Sequence, residues 1–313
     1  MSRILRLAMV VAVVGAALMV STAAWAQSAG KAPDFSAYPE LEEVADELER
    51  MWHHEPERFA QLQELREAYV ELGQRSGQRP VPAARMLQTL GDEALLPMLW
   101  HLVSENPMEL GMGLRTWRNW RVGLVEAVGR IRDERSVPVL HSIVIANNPY
   151  DQLRTVATTA IGRTGNVEAI DALIEEARSS EDKTEAIIAG LGKARRHNSA
   201  EYLLEVAQSA QEGHQVAAVR ALGDWANQWA WETPQLEPYS EERPKVVSAI
   251  VTALVDLYPH VEGRLATEIE KSLQLASAQA SKERAQARAT QADGAKKERL
   301  ERLIEVMERS PLD

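Results

Sequence analysis

A glycine at the end of an apolar helical run recurs along this chain at nearly constant spacing, and this constrains the fold more than any other feature. Gly129, Gly162, Gly192 and Gly223 stand 33, 30 and 31 residues apart. Eleven residues after each of the first three comes a leucine: Leu140, Leu173 and Leu203. Gly91, 38 residues before Gly129, heads a looser copy with a shorter turn. A period of this length marks one supersecondary unit used repeatedly.

The unit reads as two helices. Before each glycine the apolar residues fall at helical spacing, as in Val122, Val125 and Val128, or Val216, Val219 and Leu222. Two residues before each glycine stands a small one, Ala127, Ala160, Gly190 or Ala221, which lets two helices approach closely. The glycine is expected at the left-handed position just past the helix end. A second helix is then predicted over Val137 to Ala146, Val167 to Ala177 and Ala200 to Ala210, with Pro138 in the first turn of its helix. One such hairpin cannot bury both its faces, but stacked hairpins can bury a continuous core.

The Leu/Val/Ile-Gly steps at Gly129, Gly162, Gly192 and Gly223, with the Asp-x-x-x-Val-Pro-x-Leu of Asp133 to Leu140, resemble the HEAT-repeat family, in particular its short HEAT-like, phycobilisome-lyase-type repeats. The resemblance covers roughly residues 85 to 225. It implies an all-α, right-handed α-solenoid of stacked antiparallel helix pairs, with the second helices on the concave side. No chromophore site carries over from the lyases. A HEAT-like metalloenzyme, deoxyhypusine hydroxylase, uses several His-Glu pairs, and only His54-Glu55 is present here.

The flanks differ. Residues 1–26 have a basic start (Arg3, Arg6), an apolar run from Leu7 to Val20, and small residues at Ala24 and Ala26, the pattern of a signal peptide cleaved after Ala26. Export to the periplasm or beyond is therefore expected, without stable membrane insertion once the signal is removed. Residues 27–38 read as a flexible leader, 39–84 as an N-terminal helical cap, 85–258 as the repeat array and 259–313 as a charged C-terminal helical segment, either a partly exposed helix pair or a mobile tail. In the fourth pair the eleventh place after the glycine is Pro234, and a loop is expected between its helices.

The chain has no cysteine, which removes disulfides, thiolate metal sites and a cysteine nucleophile. Its 35 Lys+Arg stand against 46 Asp+Glu, a net charge of −11 that disfavours nucleic acid as a partner. Adjacent His53 and His54 point to different faces of a helix and make a poor metal pair. No metal and no cofactor is expected.

Three groups are candidates for partner binding. Arg115, Arg118 and Arg121 alternate with Trp117 and Trp120, giving a guanidinium stripe beside an indole stripe; Arg and Trp favour interface hot spots, yet such tryptophans also pack between repeats. The elbows carry Arg130, Arg132 and Arg135, then Arg163, then Lys193, Arg195, Arg196 and His197, which stacking would align into a basic ridge or leave as solvated turns. Trp225, Trp229 and Trp231 could form a stacking surface or seal the end of the core.

These features lead to the expectation of a non-enzymatic scaffold or adaptor that binds an unidentified protein partner in the cell envelope. The alternative is a binder of an envelope glycan or other anionic polymer through the Trp and Arg surfaces. A third possibility, an enzyme with a site built between repeats, would need acids or histidines converging in one cleft.

Overall fold

The computed structural model describes residues 32–75, 82–104, 112–147, 150–209, 211–232, 236 and 240–309. The expected signal peptide, the first part of the leader and most of the loop at 73–82 lie outside them. Among the described residues the chain is all-helical, with fourteen α-helices and no strand. It divides into two compact units, Met1–Val156 and Ala157–Asp313. The division falls inside the segment read as one repeat array.

In the first unit, short 3-10 segments at Phe35–Ala37 and Pro39–Val44 lead into α1 (Ala45–His54) and α2 (Pro56–Arg75). Then follow α3 (Ala83–Leu87), α4 (Leu95–Ser104), α5 (Leu114–Ile131) and α6 (Val137–Ile145); α7 (Asp151–Thr164) runs across the division. Phe35, Tyr38, Trp52, Phe59 and Trp100 form an edge-to-face aromatic cluster, with Phe35 and Trp100 ring centroids 4.9 Å apart. Phe35 is 3% exposed, so the segment expected to be a flexible leader is docked from Phe35 onward. Ring burial of this size outweighs the freedom of a short tail. The Val137-Pro138 start of α6 behaves as its sequence dictates: Asp133 Oδ1 accepts from Arg135 N at 2.9 Å and proline occupies the first turn.

The second unit contains α8 (Val167–Ser179), α9 (Glu181–Ala194), α10 (His197–Ser209), α11 (Glu212–Ala226), α12 (Arg243–Leu257), α13 (Gly263–Ala289) and α14 (Gly294–Glu308). Its packing is serial. Helix α9 lies against α11 and α11 against α13, while α8 meets α10 and α10 meets α12. Ile187, Ile188, Leu191, Val219 and Leu222 are fully buried between these rows. Burial of each contributes about 1.5–3 kcal/mol.

The repeated glycines do not end their helices. Gly129, Gly162, Gly192 and Gly223 all lie inside α-helices, and the left-handed residue comes three places later: Arg132 (φ 61°), Gly165 (φ 70°) and Arg195 (φ 49°). Gly162, Gly192 and Gly223 serve close approach instead. A Cβ on Gly162 would stand 2.2 Å from the carbonyl oxygen of Gly190, and one on Gly192 would stand 2.9 Å from Cα of Ala221. The small residues two places before Gly192 and Gly223 are thus the partners of the preceding helix's glycine.

The C-terminal segment is neither loose nor a tail. Ser277 (φ 179°, ψ 113°) breaks α13 into two helical stretches, and its Oγ accepts from Ala280 N at 3.1 Å as an N-cap. The first stretch packs on α11, where a Cβ on Gly223 would meet Ser272 at 2.6–2.9 Å and Ser272 Oγ donates to the carbonyl of Val219 at 2.8 Å. The second stretch reaches α12, where Arg288 Nε donates to Asp256 at 2.6 Å. Helix α14 closes this end, burying Leu300, Leu303 and Met307.

Candidate functional site

The first turns of α5 carry the Arg-Trp stretch. Trp117 and Trp120 are buried, and Trp120 lies 5.4 Å from the ring of Tyr69 on α2. The tryptophans therefore belong to the core of the first unit. The arginines divide. Arg121 turns inward, with its guanidinium 5.5 Å from the Trp117 ring and Nη2 donating to the carbonyl of Leu102 at 3.1 Å. Arg118 lies over the Tyr150 ring at 5.0 Å, a cation–π contact, and Arg115 is exposed. Leu114, which carries no motif, is 59% exposed beside them.

The elbow arginines do not form one open ridge. In the first unit Arg130 donates to Gln88 Oε1 at 3.2 Å, Arg132 is half-buried, and Arg135 holds Asp133 and Glu47 at 2.6 and 2.7 Å. Hydrogen bonding from Arg135 holds the Asp133 carboxyl below its usual range.

In the second unit the elbows bind each other. Arg163 is half-buried. Lys193 pairs with Asp224 at 2.7 Å, and His197 contacts Glu201 at 3.0 Å. Arg195 and Arg196 are buried, contrary to a ridge in which both face solvent. Arg196 Nε donates to the carbonyl of Gly165 at 2.8 Å, and Arg195 Nη2 donates to the carbonyl of Asp224 at 3.4 Å. The carbonyls left open at a helix end are satisfied here by the neighbouring elbow's guanidinium. Burying these side chains costs less because carbonyls replace water.

The tryptophan loop likewise turns inward. Trp225 Nε1 donates to the carbonyl of Arg196 at 3.3 Å, Trp231 Nε1 donates to the carbonyl of Trp225 at 2.8 Å, and the two rings meet at 5.1 Å. Trp229 alone of the three is open, at 46%.

Each unit also has a cleft. In the first unit Glu47, Arg50, Met51, His54, Asp92, Glu93 and Leu96 surround about 370 Å³. In the second, Gln208, Ala249, Thr252, Ala253, Asp256 and His260 line an open groove of about 500 Å³ between α10 and α12. Among the described residues no group of three His, Asp or Glu side chains is placed to hold a metal ion. No helix among them is long and apolar enough to cross a membrane.

Sequence reasoning misses Leu114 and Tyr150 because neither belongs to a recognisable pattern. The spacing gives no signal either, since Leu114 stands three places before Trp117 and six before Trp120, in step with the buried positions.

No family model matches the chain, and no curated protein matches it. Among solved structures, human deoxyhypusine hydroxylase in complex with glycerol matches at 15% identity, over 80% of this chain and 97% of that one, with a TM-score of 0.32. That protein is an enzyme, against the expectation of a non-enzymatic chain, and an all-helical repeat-like body does not of itself separate binders from catalysts, so that expectation is not carried forward. A likeness at this level brings no activity, ligand or residue role to this chain.

Proposed function

We propose that this chain is an exported HEAT-like protein, processed after Ala26, whose helix pairs stack as a right-handed α-solenoid and which serves as a scaffold or adaptor for a protein partner in the cell envelope. The observation that carries this reading is the serial packing of the second unit, α9 on α11 on α13 with α8, α10 and α12 beside them. Each pair buries its glycine face on the next, so the rows are extended rather than wrapped round a single centre. Extended helical rows offer long surfaces, which suit proteins better than small molecules.

The glycan reading has less support. Of the three tryptophans offered for stacking, Trp225 is buried at the end of α11 against the Arg196 elbow, and Trp231 is buried against Trp225. Of the elbow arginines, Arg195 and Arg196 are spent on backbone carbonyls.

The test is photo-crosslinking in the native cell envelope. A photoreactive amino acid replaces Leu114, Ile145, Val167 or Trp229, the large apolar residues open to solvent. A discrete protein adduct at one position and not the others supports the reading. Adducts that contain only polysaccharide, or none at any position, overturn it.

A further inference from the structure

We infer that the first turns of α5 are the docking face for an acidic segment of the partner, one carrying a large apolar side chain among its carboxylates; this rests on the protein-binding reading above. Leu114 is the most exposed large apolar side chain among the described residues, at 59%. Arg115 is exposed next to it, and Arg118 stands one turn further on the same side of the helix.

Neither Arg115 nor Arg118 has a carboxylate partner among the described residues. Other arginines of comparable exposure are neutralised, among them Arg135 by Asp133 and Glu47, Arg178 by Glu175 and Glu205, and Arg220 by Glu268. Two uncompensated guanidinium groups beside an exposed leucine match carboxylates flanking an apolar residue.

The face is also rigid. Trp117 and Trp120 anchor the inner side of the same turns in the core, and Arg121 fastens to Leu102. Arg118 is already laid on the Tyr150 ring at 5.0 Å, so less freedom is lost when it meets an anion. The same contact covers the aromatic ring a sugar would need for stacking. The chemistry therefore favours an acidic polypeptide over an anionic glycan.

The test pans a random-peptide phage library on the full chain and measures the selected peptides by fluorescence polarisation. The face predicts peptides rich in Asp and Glu around a Leu, Ile or Phe. Their affinity should fall about tenfold or more in Arg115→Glu/Arg118→Glu, and severalfold in Leu114→Ser. It should fall with added salt and stay unchanged in the control Arg178→Glu. Circular dichroism melts of each variant establish that it folds.

Neutral or basic peptides, no selected peptide, or equal binding to the double variant overturn the inference. So does binding by polyglutamate or an anionic polysaccharide that Leu114→Ser leaves intact, since bare charge would then suffice. A protein adduct at Val167 or Trp229 alongside such a result removes this face and leaves the protein-binding reading standing. Failure of crosslinking at every position removes that reading itself.

Discussion

The guanidinium of Arg196 donates to the carbonyl oxygen of Gly165 at 2.8 Å, tying one elbow of the second unit to the elbow before it. The carbonyl of Arg196 in turn accepts from Trp225 Nε1 at 3.3 Å. Replacing this buried donor leaves a helix-end carbonyl without its partner. Arg196→Met, which keeps the packing volume of the stem, should cost about 1–3 kcal/mol. Urea unfolding of the two proteins checks it, and equal midpoints would show that the elbows are held by packing alone.

The interior glycines make a sharper claim. Gly162→Ala places a methyl 2.2 Å from a backbone oxygen on α9, where nothing flexible can give way. A loss of about 1–3 kcal/mol is expected from that overpacking. Gly213, in the first turn of α11, has no atom within 4 Å of where a methyl would stand, and its φ is not positive. Gly213→Ala should therefore gain about 0.5–1 kcal/mol. Thermal melts of both variants decide the matter; a harmless Gly162→Ala would deny the close approach.

The left-handed residues predict a gain where a sequence rule would predict none. Arg132 holds φ 61° at the end of α5, a conformation that costs a side chain on the order of 1 kcal/mol. At the corresponding place in the next repeat the chain uses Gly165. Arg132→Gly should raise stability by about 0.5–1 kcal/mol, the relief being partly offset by the freer unfolded chain. A lowered melting temperature would mean that the Arg132 side chain makes a contact worth more than the strain.

How much of this is legible depends on which property of a residue is in play. The period of Gly129, Gly162, Gly192 and Gly223 announces paired helices, and the small residues Gly190 and Ala221 announce close approach. Glycine's lack of a side chain and its tolerance of positive φ leave the same mark in a sequence, so interior glycines read as helix ends. The true ends at Arg132 and Arg195 carry no signature.

The C-terminal pair is obscured for a related reason. Its contacts use Ser272, Ala276, Ala278, Ser281, Ala285 and Ala289, all buried, where a search for large apolar residues finds little. In the candidate site, composition registers the arginines but not their direction. Arg195 and Arg196 turn in, while Arg115 and Arg118 turn out.

The pair between α11 and α13 gives a prediction in pH. Arg220 Nε donates to Glu268 Oε1 at 2.9 Å, and this hydrogen bond holds the buried Glu268 carboxyl below its usual range. A carboxylate whose folded-state value is depressed stabilises the protein above its unfolded value, about 4.3. That contribution is lost as pH falls below it and through the folded value. Melting temperature should therefore drop on acidification from about pH 5, and Glu268→Gln should show a shallower drop. Parallel curves for the two proteins would exclude the pair as a source of acid sensitivity.

Ser277 shows that the boundary between two paired helices can be a single residue wide. There is no glycine, no proline and no loop, only one extended residue whose hydroxyl starts the next helix. Helical arrays counted by the turn residues between their members will come out one unit short wherever such a joint occurs, and a serine three places before an ordinary alanine is all that betrays it.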